Sequence, residues 1–243
     1  MSELIQSPEF RGHTQAHMNC GVFCILEYDK RYALLLNKGQ EREGKEPVFT
    51  PIGGGIKVNR ATMRELEERL SLPRDSFDVP FGFGKHNQVM RSIRNRMPGE
   101  RNLRFNMPLT HMNLDFLTQW LQERHEGRDL SPYREMMEEL TEEYPLLRPT
   151  EVEQISFELA GYNAFWKGLN HTVPELKIME LYNLYPSEEV LMRMLAISQH
   201  YRSPLYFATH EEINAGVATD GRRIGKSAEM LFDPKPIIEV PRM

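Results

Sequence analysis

Two short apolar and β-branched runs, residues 21–28 and 31–37, are split by Asp29 and Lys30, a pattern that predicts a hairpin with a two-residue turn. Residues 38–46 are charged and read as a loop. Residues 48–57 (VFTPIGGGIK) start as a short strand and run into three consecutive glycines. Such a run means that the backbone bends sharply or lets another group approach closely. Helical spacing marks 61–72 and 114–124, the second through Leu114, Leu117 and Leu121 with Phe116 and Trp120. The best-marked helix covers 133–144, with Ser131 as N-cap, Pro132 at the first helical position and Pro145 as the stop. Beyond it the chain reads mostly as strands, at 153–165, 175–185 and 205–208. A turn or short helix begins at Glu211, Asp220 and Gly221 form a turn, and 225–231 reads as a closing helix.

Residues 1–18 are polar and aperiodic and read as a lead-in. The 243 residues suffice for one large domain or two small ones. The charge balance is 30 Lys and Arg against 35 Asp and Glu, which argues against a dedicated nucleic-acid coat. That charge is unevenly spread: 85–104 holds six basic residues (85, 91, 94, 96, 101 and 104) and the single acid Glu100. This stretch could hold substrate phosphates or a nucleic-acid strand, or be a solvated basic face docked on an acidic helix. Cys20 and Cys24 fit a reduced protein, no apolar run approaches the roughly 20 residues needed to cross a bilayer, and 1–15 lacks a signal peptide. The expected compartment is the cytoplasm, with no membrane association.

Glu135, Glu138, Glu139 and Glu142 fall at i, i+3, i+4 and i+7, which puts four carboxylates on one helical face. Like charges so spaced repel by a few tenths of a kcal/mol per pair, and Arg134 alone offsets little of it. A divalent ion would offset all of it, and hard oxygen ligands suit Mg²⁺ or Mn²⁺ rather than zinc. The alternative is a solvated acidic face. Met136, Met137 and Leu140 supply an apolar side to dock the helix. The glycine run adds a backbone that can lend a carbonyl to a metal and leave room for a phosphate chain.

Arg134, Glu135, Met136, Met137, Glu138 and Glu139 match R-E-U-x-E-E, the second half of the box G-x5-E-x7-R-E-U-x-E-E-x-G-U of the Nudix hydrolases, where U is bulky and apolar. Pro51, Ile52, Gly53, Gly54 and Gly55 resemble the glycine turn that opens that box. The resemblance covers residues 20–57 and 132–232, and it implies an α/β (α+β) fold, an α/β/α sandwich around a curved mixed sheet. The domain would span 19–235, interrupted by a basic, mainly helical insertion at 58–131. In the family the box glycine lies 14 residues before the arginine; here Gly54 and Arg134 are 80 apart, so about 66 residues are inserted inside the box. Arg60 stands at the distance of the first box glutamate, Lys57 where many members carry an acid, and the trailing x-G-U is poorly matched by Leu140, Thr141 and Glu142. A second helix, Arg64, Glu65, Leu66, Glu67, Glu68 and Arg69, copies the motif without its last glutamate. The complete glutamate set, the Ser-Pro cap and the following strands favour 134–139. The split box with a basic, Trp-containing insert is similar to a bacterial subgroup found beside second-messenger nucleotidyltransferases in antiphage loci. Asn102, Leu103, Arg104, Phe116, Trp120 and Arg124 contribute to that likeness.

The resemblance implies that Glu135, Glu138 and Glu139 ligate or orient one to three Mg²⁺, that Gly53 or Gly54 lends a carbonyl, and that Arg134 braces the carboxylates. It implies in-line attack on a diphosphate by a metal-bound hydroxide, with a glutamate or the metal alone behind the deprotonation. A further catalytic glutamate would come from Glu158, Glu180, Glu188 or Glu189. The expected function is a Mg²⁺-dependent pyrophosphohydrolase of a nucleoside diphosphate linked to another group, acting on a small-molecule nucleotide. The alternative is a Nudix-fold sensor that binds a nucleotide without cutting it. A homodimer is open, and nucleic acid is not favoured as a partner.

Weaker signals remain. Residues 81–85 (FGFGK) faintly suggest a phosphate loop or a base-stacking pair of aromatics. His13, His17, Cys20 and Cys24 have spacings open to zinc, against core packing of both cysteines on one strand face. Trp120 and Trp166 read as packing residues, and 220–223 as a solvated turn or an edge of a substrate site.

Overall fold

The computed structural model describes residues 12–37, 46–74, 76–78, 100–124, 127–128, 131–169, 171 and 173–241. Residues 81–85 and most of the basic stretch, including Arg91, Arg94 and Arg96, lie outside them. Strand β1 (Gln15–Ile25) buries Ala16, Met18, Cys20, Val22 and Cys24 on one face. It begins inside the expected lead-in because Ala16 and Met18 continue that alternation, with His17 and Asn19 on the other face. β2 (Glu27–Tyr28) and β3 (Arg31–Leu36) form the predicted hairpin, and Asp29 and Lys30 both take positive φ (49° and 58°), as its two-residue turn demands. β4 (Val48–Gly55) and β5 (Lys57–Val58) lead to α1 (Arg60–Arg69), capped by the Asn59 carboxamide on the Thr62 amide. β6 (Arg101–Asn102), β7 (Arg104–Pro108) and α2 (His111–Gln122) follow. Helix α3 (Tyr133–Met137) continues into a π-helical turn (Glu138–Glu143), and α4 (Pro149–Val152) is a single turn. β8 (Ile155–Lys167), β9 (Glu175–Pro186), α5 (Glu188–Ser198), β10 (Leu205–Thr209), α6 (His210–Ala215), β11 (Arg223–Ile224) and a 3₁₀ segment (Lys226–Leu231) complete the chain.

The main sheet is mixed and curved, ordered β10-β3-β4-β1-β9-β8, with β1 and β9 parallel and the other neighbours in that path antiparallel. One face carries Cys24, Leu35 and Ile52 under Met136 of α3, Leu140 of the π-helical turn and Val190 and Met194 of α5. The opposite face carries Leu34, Phe49 and Leu181 against Ile213 of α6 and Ala228 and Leu231 of the 3₁₀ segment. Helices on both faces of a mixed sheet make the α+β sandwich that the sequence implied. The three strands expected after 153 are β8, β9 and β10, and helix α5 is an element that the sequence reading left out between the last two. Ser187 caps it, Glu188 and Glu189 favour its first turn, and Val190 and Met194 at i and i+4 bury its inner side.

The segment 58–131 is not purely helical. Leu103, Phe105 and Met107 alternate into the core, and β7 pairs along β1 from Gln15 opposite Pro108 to Asn19 opposite Arg104. β4 takes over the same edge, from Gly21 opposite Gly55 to Cys24 opposite Ile52. Leu66 and Leu70 of α1 and Leu117, Trp120 and Leu121 of α2 share one cluster with Met18, Cys20, Val22 and Ile178 of the sheet. The segment leaves and returns at one place: the Asn59 amide donates to the Gly127 carbonyl (2.8 Å), and Val58 forms an antiparallel bridge with Arg128. Arg128 then donates to Glu180 of β9 (2.7 Å) and to the Leu121 carbonyl (2.7 Å), with both charged side chains at most 1% exposed. The Tyr182 hydroxyl donates to the other Glu180 oxygen (3.0 Å). Among the described residues no helix is long and apolar enough to cross a membrane.

Removing one partner of a buried ion pair leaves an uncompensated charge, at a cost of about 3–5 kcal/mol. Arg128→Leu is therefore expected to lower unfolding stability by about 3 kcal/mol or more, and the double substitution Arg128→Leu, Glu180→Leu to recover most of it in denaturant titration. A loss below about 1 kcal/mol for the single variant contradicts the clamp.

Candidate functional site

Helix α3 lies on β4 so that the two separated halves of the box meet. The glycines do not form a turn: they remain in β4, with Gly53, Gly54 and Gly55 opposite Phe23, Val22 and Gly21 of β1. Close approach is the use made of them. The Glu135 carboxylate sits where a Cβ on Gly54 would lie, so any larger residue there would collide with it. Gly53 takes φ of 140°, a conformation unfavourable for other residues, and its amide donates to Glu139 Oε2 (2.7 Å). Arg134 closes the junction: Nη2 reaches the Gly55 carbonyl (2.9 Å) and Glu135 Oε1 (2.6 Å), and Nη1 reaches Glu138 Oε1 (2.9 Å). Burial pushes the Glu135 carboxyl up from its usual range, while the Arg134 guanidinium pulls it back. Gly53 thus contributes its N–H, and the carbonyl engaged by Arg134 is that of Gly55.

Tyr144 closes the π-helical turn that follows α3. The Tyr144 amide donates to the Glu139 carbonyl five residues back (3.1 Å), and the Tyr144 hydroxyl pins the end of the turn to the Leu36 carbonyl (2.7 Å). Regular helical spacing pairs Glu142 with Glu135, but Glu142 is exposed here, and Glu143, four residues after Glu139, joins it at the wall of a cavity of about 190 Å³. The glycines of β4 line it, and the sheet adds Asn19, Arg104 and Lys177. Arg104 Nε donates to Asn19 Oδ1 (2.9 Å), and Asn19 Nδ2 donates to the buried Glu175 (2.8 Å). Sequence reasoning named Arg104 within a basic stretch and in the likeness to the bacterial subgroup, not as a site residue, and missed Glu143, Asn19 and Lys177. The alternation of 103–107 is the one signal that could have put Arg104 on the cavity side of a strand.

The other candidates lie apart from this cavity. Glu180 is committed to Arg128; Glu158 is exposed, with the Tyr185 hydroxyl 3.5 Å away; Glu188 and Glu189 are exposed in the first turn of α5. In α1, Leu66 is buried while Glu65 and Glu68 are exposed, and Glu67 accepts from the Ser76 amide. Cys20 and Cys24 are buried core residues, and burial pushes the Cys20 thiol up to about 12. His17 pairs with Asn106 and His13 reaches the Leu169 carbonyl, so of the two readings of this spacing the core packing of the cysteines is the one the structure shows. Trp120 is a core residue, and Trp166 donates to the Pro241 carbonyl. Arg222 ties the 220–223 turn to Asp220 and the Ser203 carbonyl and stacks on Phe49.

Among the described residues no three His, Cys, Asp or Glu side chains are already gathered as metal ligands. The donors at the junction are nevertheless all carboxylate oxygens, two of them seated on the glycine backbone, a set whose chemistry fits Mg²⁺ or Mn²⁺.

A curved mixed sheet between helices, with a carboxylate helix on a glycine strand, is the arrangement of a Nudix domain. The chain belongs to the family described as the SMODS-associated NUDIX domain, whose model matches residues 17–232. No curated protein and no solved structure matches it. Membership makes it a hydrolase-like or nucleotide-binding module.

Overpacking a closed contact costs about 1–3 kcal/mol. Gly54→Ala is expected to destabilise by that amount, and Glu135→Ala in the same chain to relieve most of it. Strictly additive losses in a double-mutant cycle would contradict the Gly54–Glu135 contact.

Proposed function

We propose that this domain is a Mg²⁺-dependent pyrophosphohydrolase of nucleotides in which a nucleoside diphosphate is linked to a second group, yielding a nucleoside monophosphate and a phosphorylated partner. The observation that carries the reading is the seating of Glu135 and Glu139 on Gly53 and Gly54, which rejoins a motif separated by about 66 residues. Glu135, Glu138 and Glu139 would hold the ion, and Mn²⁺ would serve in place of Mg²⁺. Bound there, a divalent ion supplies charge neutralisation on the diphosphate and acidifies a water. Arg134, held by the Gly55 carbonyl, fixes the carboxylates of Glu135 and Glu138. Glu143 stands within the cavity as a candidate proton acceptor, in place of the later-loop glutamates. The two thiols, buried and free, suit the cytoplasm.

A nucleotide sensor is the second reading. Arg60 at the position of the first box glutamate favours it, as does the absence, among the described residues, of a gathered ligand set.

Product analysis on a mixed nucleotide panel with Mg²⁺ or Mn²⁺ separates the two. The hydrolase reading expects metal-dependent cleavage at a diphosphate, reduced about 100-fold or more by Glu139→Gln and little changed by Glu68→Gln in α1. No cleavage, with thermal stabilisation by one nucleotide, favours the sensor. Loss of turnover in Glu68→Gln alone would overturn the choice of helix.

A further inference from the structure

The strand register places three polar residues side by side. Asn19 of β1 lies opposite Arg104 of β7 on one edge and opposite Lys177 of β9 on the other. Paired residues in neighbouring strands point to the same sheet face, so Arg104, Asn19 and Lys177 form a row about 10 Å long across three strands. Their neighbours along the strands, Met18, Cys20, Leu176 and Ile178, point the other way and carry the packing. All three row residues line the cavity that also holds the glycines of β4 and Glu139.

The row is held in place from outside the cavity. Buried Glu175 accepts from Asn19, and Asn19 in turn accepts from Arg104 Nε, which fixes the guanidinium. Lys177 Nζ lies 5.8 Å from the centre of the Phe165 ring, its partner on β8. Two cations and one carboxylate leave a net positive charge on this part of the wall. Burial also lowers the proton affinity of Lys177, a cost that a bound anion would offset. Bidentate arginine and point-charge lysine are the side chains that recognise phosphate oxygens.

We propose that Arg104, Asn19 and Lys177 form an anion subsite that holds the diphosphate of the ligand against the sheet, opposite the carboxylates of α3. Arg104 belongs to the inserted segment, so the insertion builds one wall of the site rather than decorating the domain. The subsite rests on the reading of this cavity as the nucleotide site, but it needs only binding, not cleavage. It serves the hydrolase and the sensor alike.

The test is calorimetric titration of the full chain with inorganic pyrophosphate in Mg²⁺, together with thermal melts of each variant without ligand. Wild type is expected to bind, and Arg104→Gln and Lys177→Gln each to weaken binding about ten-fold or more while melting as folded proteins. Arg104→Lys should recover part of the Arg104→Gln loss. Wild-type affinity in both Gln variants overturns the subsite, as does a wild type that binds no pyrophosphate. If turnover depends on Glu139 while both Gln variants bind normally, the hydrolase reading stands and the subsite fails. If no nucleotide is cleaved while both variants lose binding, the subsite stands and the hydrolase reading fails.

Discussion

The buried pairing of Arg128 with Glu180 is the constraint on which the functional site depends. An insertion of about 66 residues would ordinarily separate the two halves of the Nudix box. Loop closure itself is inexpensive, since each doubling of length adds only about 0.6 kcal/mol. What matters is that the two ends return to one point. The bridge between Val58 and Arg128 brings them together, and the ion pair locks that neck to β9. Both charges are almost wholly desolvated, so a neck displaced from the sheet leaves Glu180 without its countercharge.

Residues 133–143 lie over β4. Met136 and Leu140 face the core, and this fixes the rotation of α3 so that Glu135 and Glu139 meet the glycines. Three contacts hold the junction: one carboxylate fills the space of a missing Cβ, another accepts a backbone amide, and Arg134 spans Glu135, Glu138 and Gly55. The clustering of carboxylates with one arginine is costly for the protein alone, and this is the electrostatic ground for the cation site proposed above.

Much of this was legible in the sequence. The Asp29-Lys30 turn, the β2–β3 hairpin and the helix starting near Ser131 follow from local pattern, and the resemblance to the Nudix box links the glycines to R-E-U-x-E-E. Three features did not. The shift from α to π geometry after Met137 goes with the anchoring of Tyr144 on β3, a tertiary contact that the helix's own sequence does not encode. The row of Arg104, Asn19 and Lys177 depends on register among three strands far apart in the chain, and no local period encodes it. Helix α5 has apolar residues like those of the strands before it, and its start signals are Ser187 and the acidic pair that follows.

The central claim is that the separated halves of the box form one cation site. Anomalous diffraction from crystals of the full chain grown with Mn²⁺ tests it most directly. The account predicts a Mn²⁺ peak coordinated by carboxylates from Glu135, Glu138 and Glu139 beside the glycines of β4. A peak on the exposed glutamates of α1, or no peak beside Gly53 and Gly54 at saturating Mn²⁺, would contradict it.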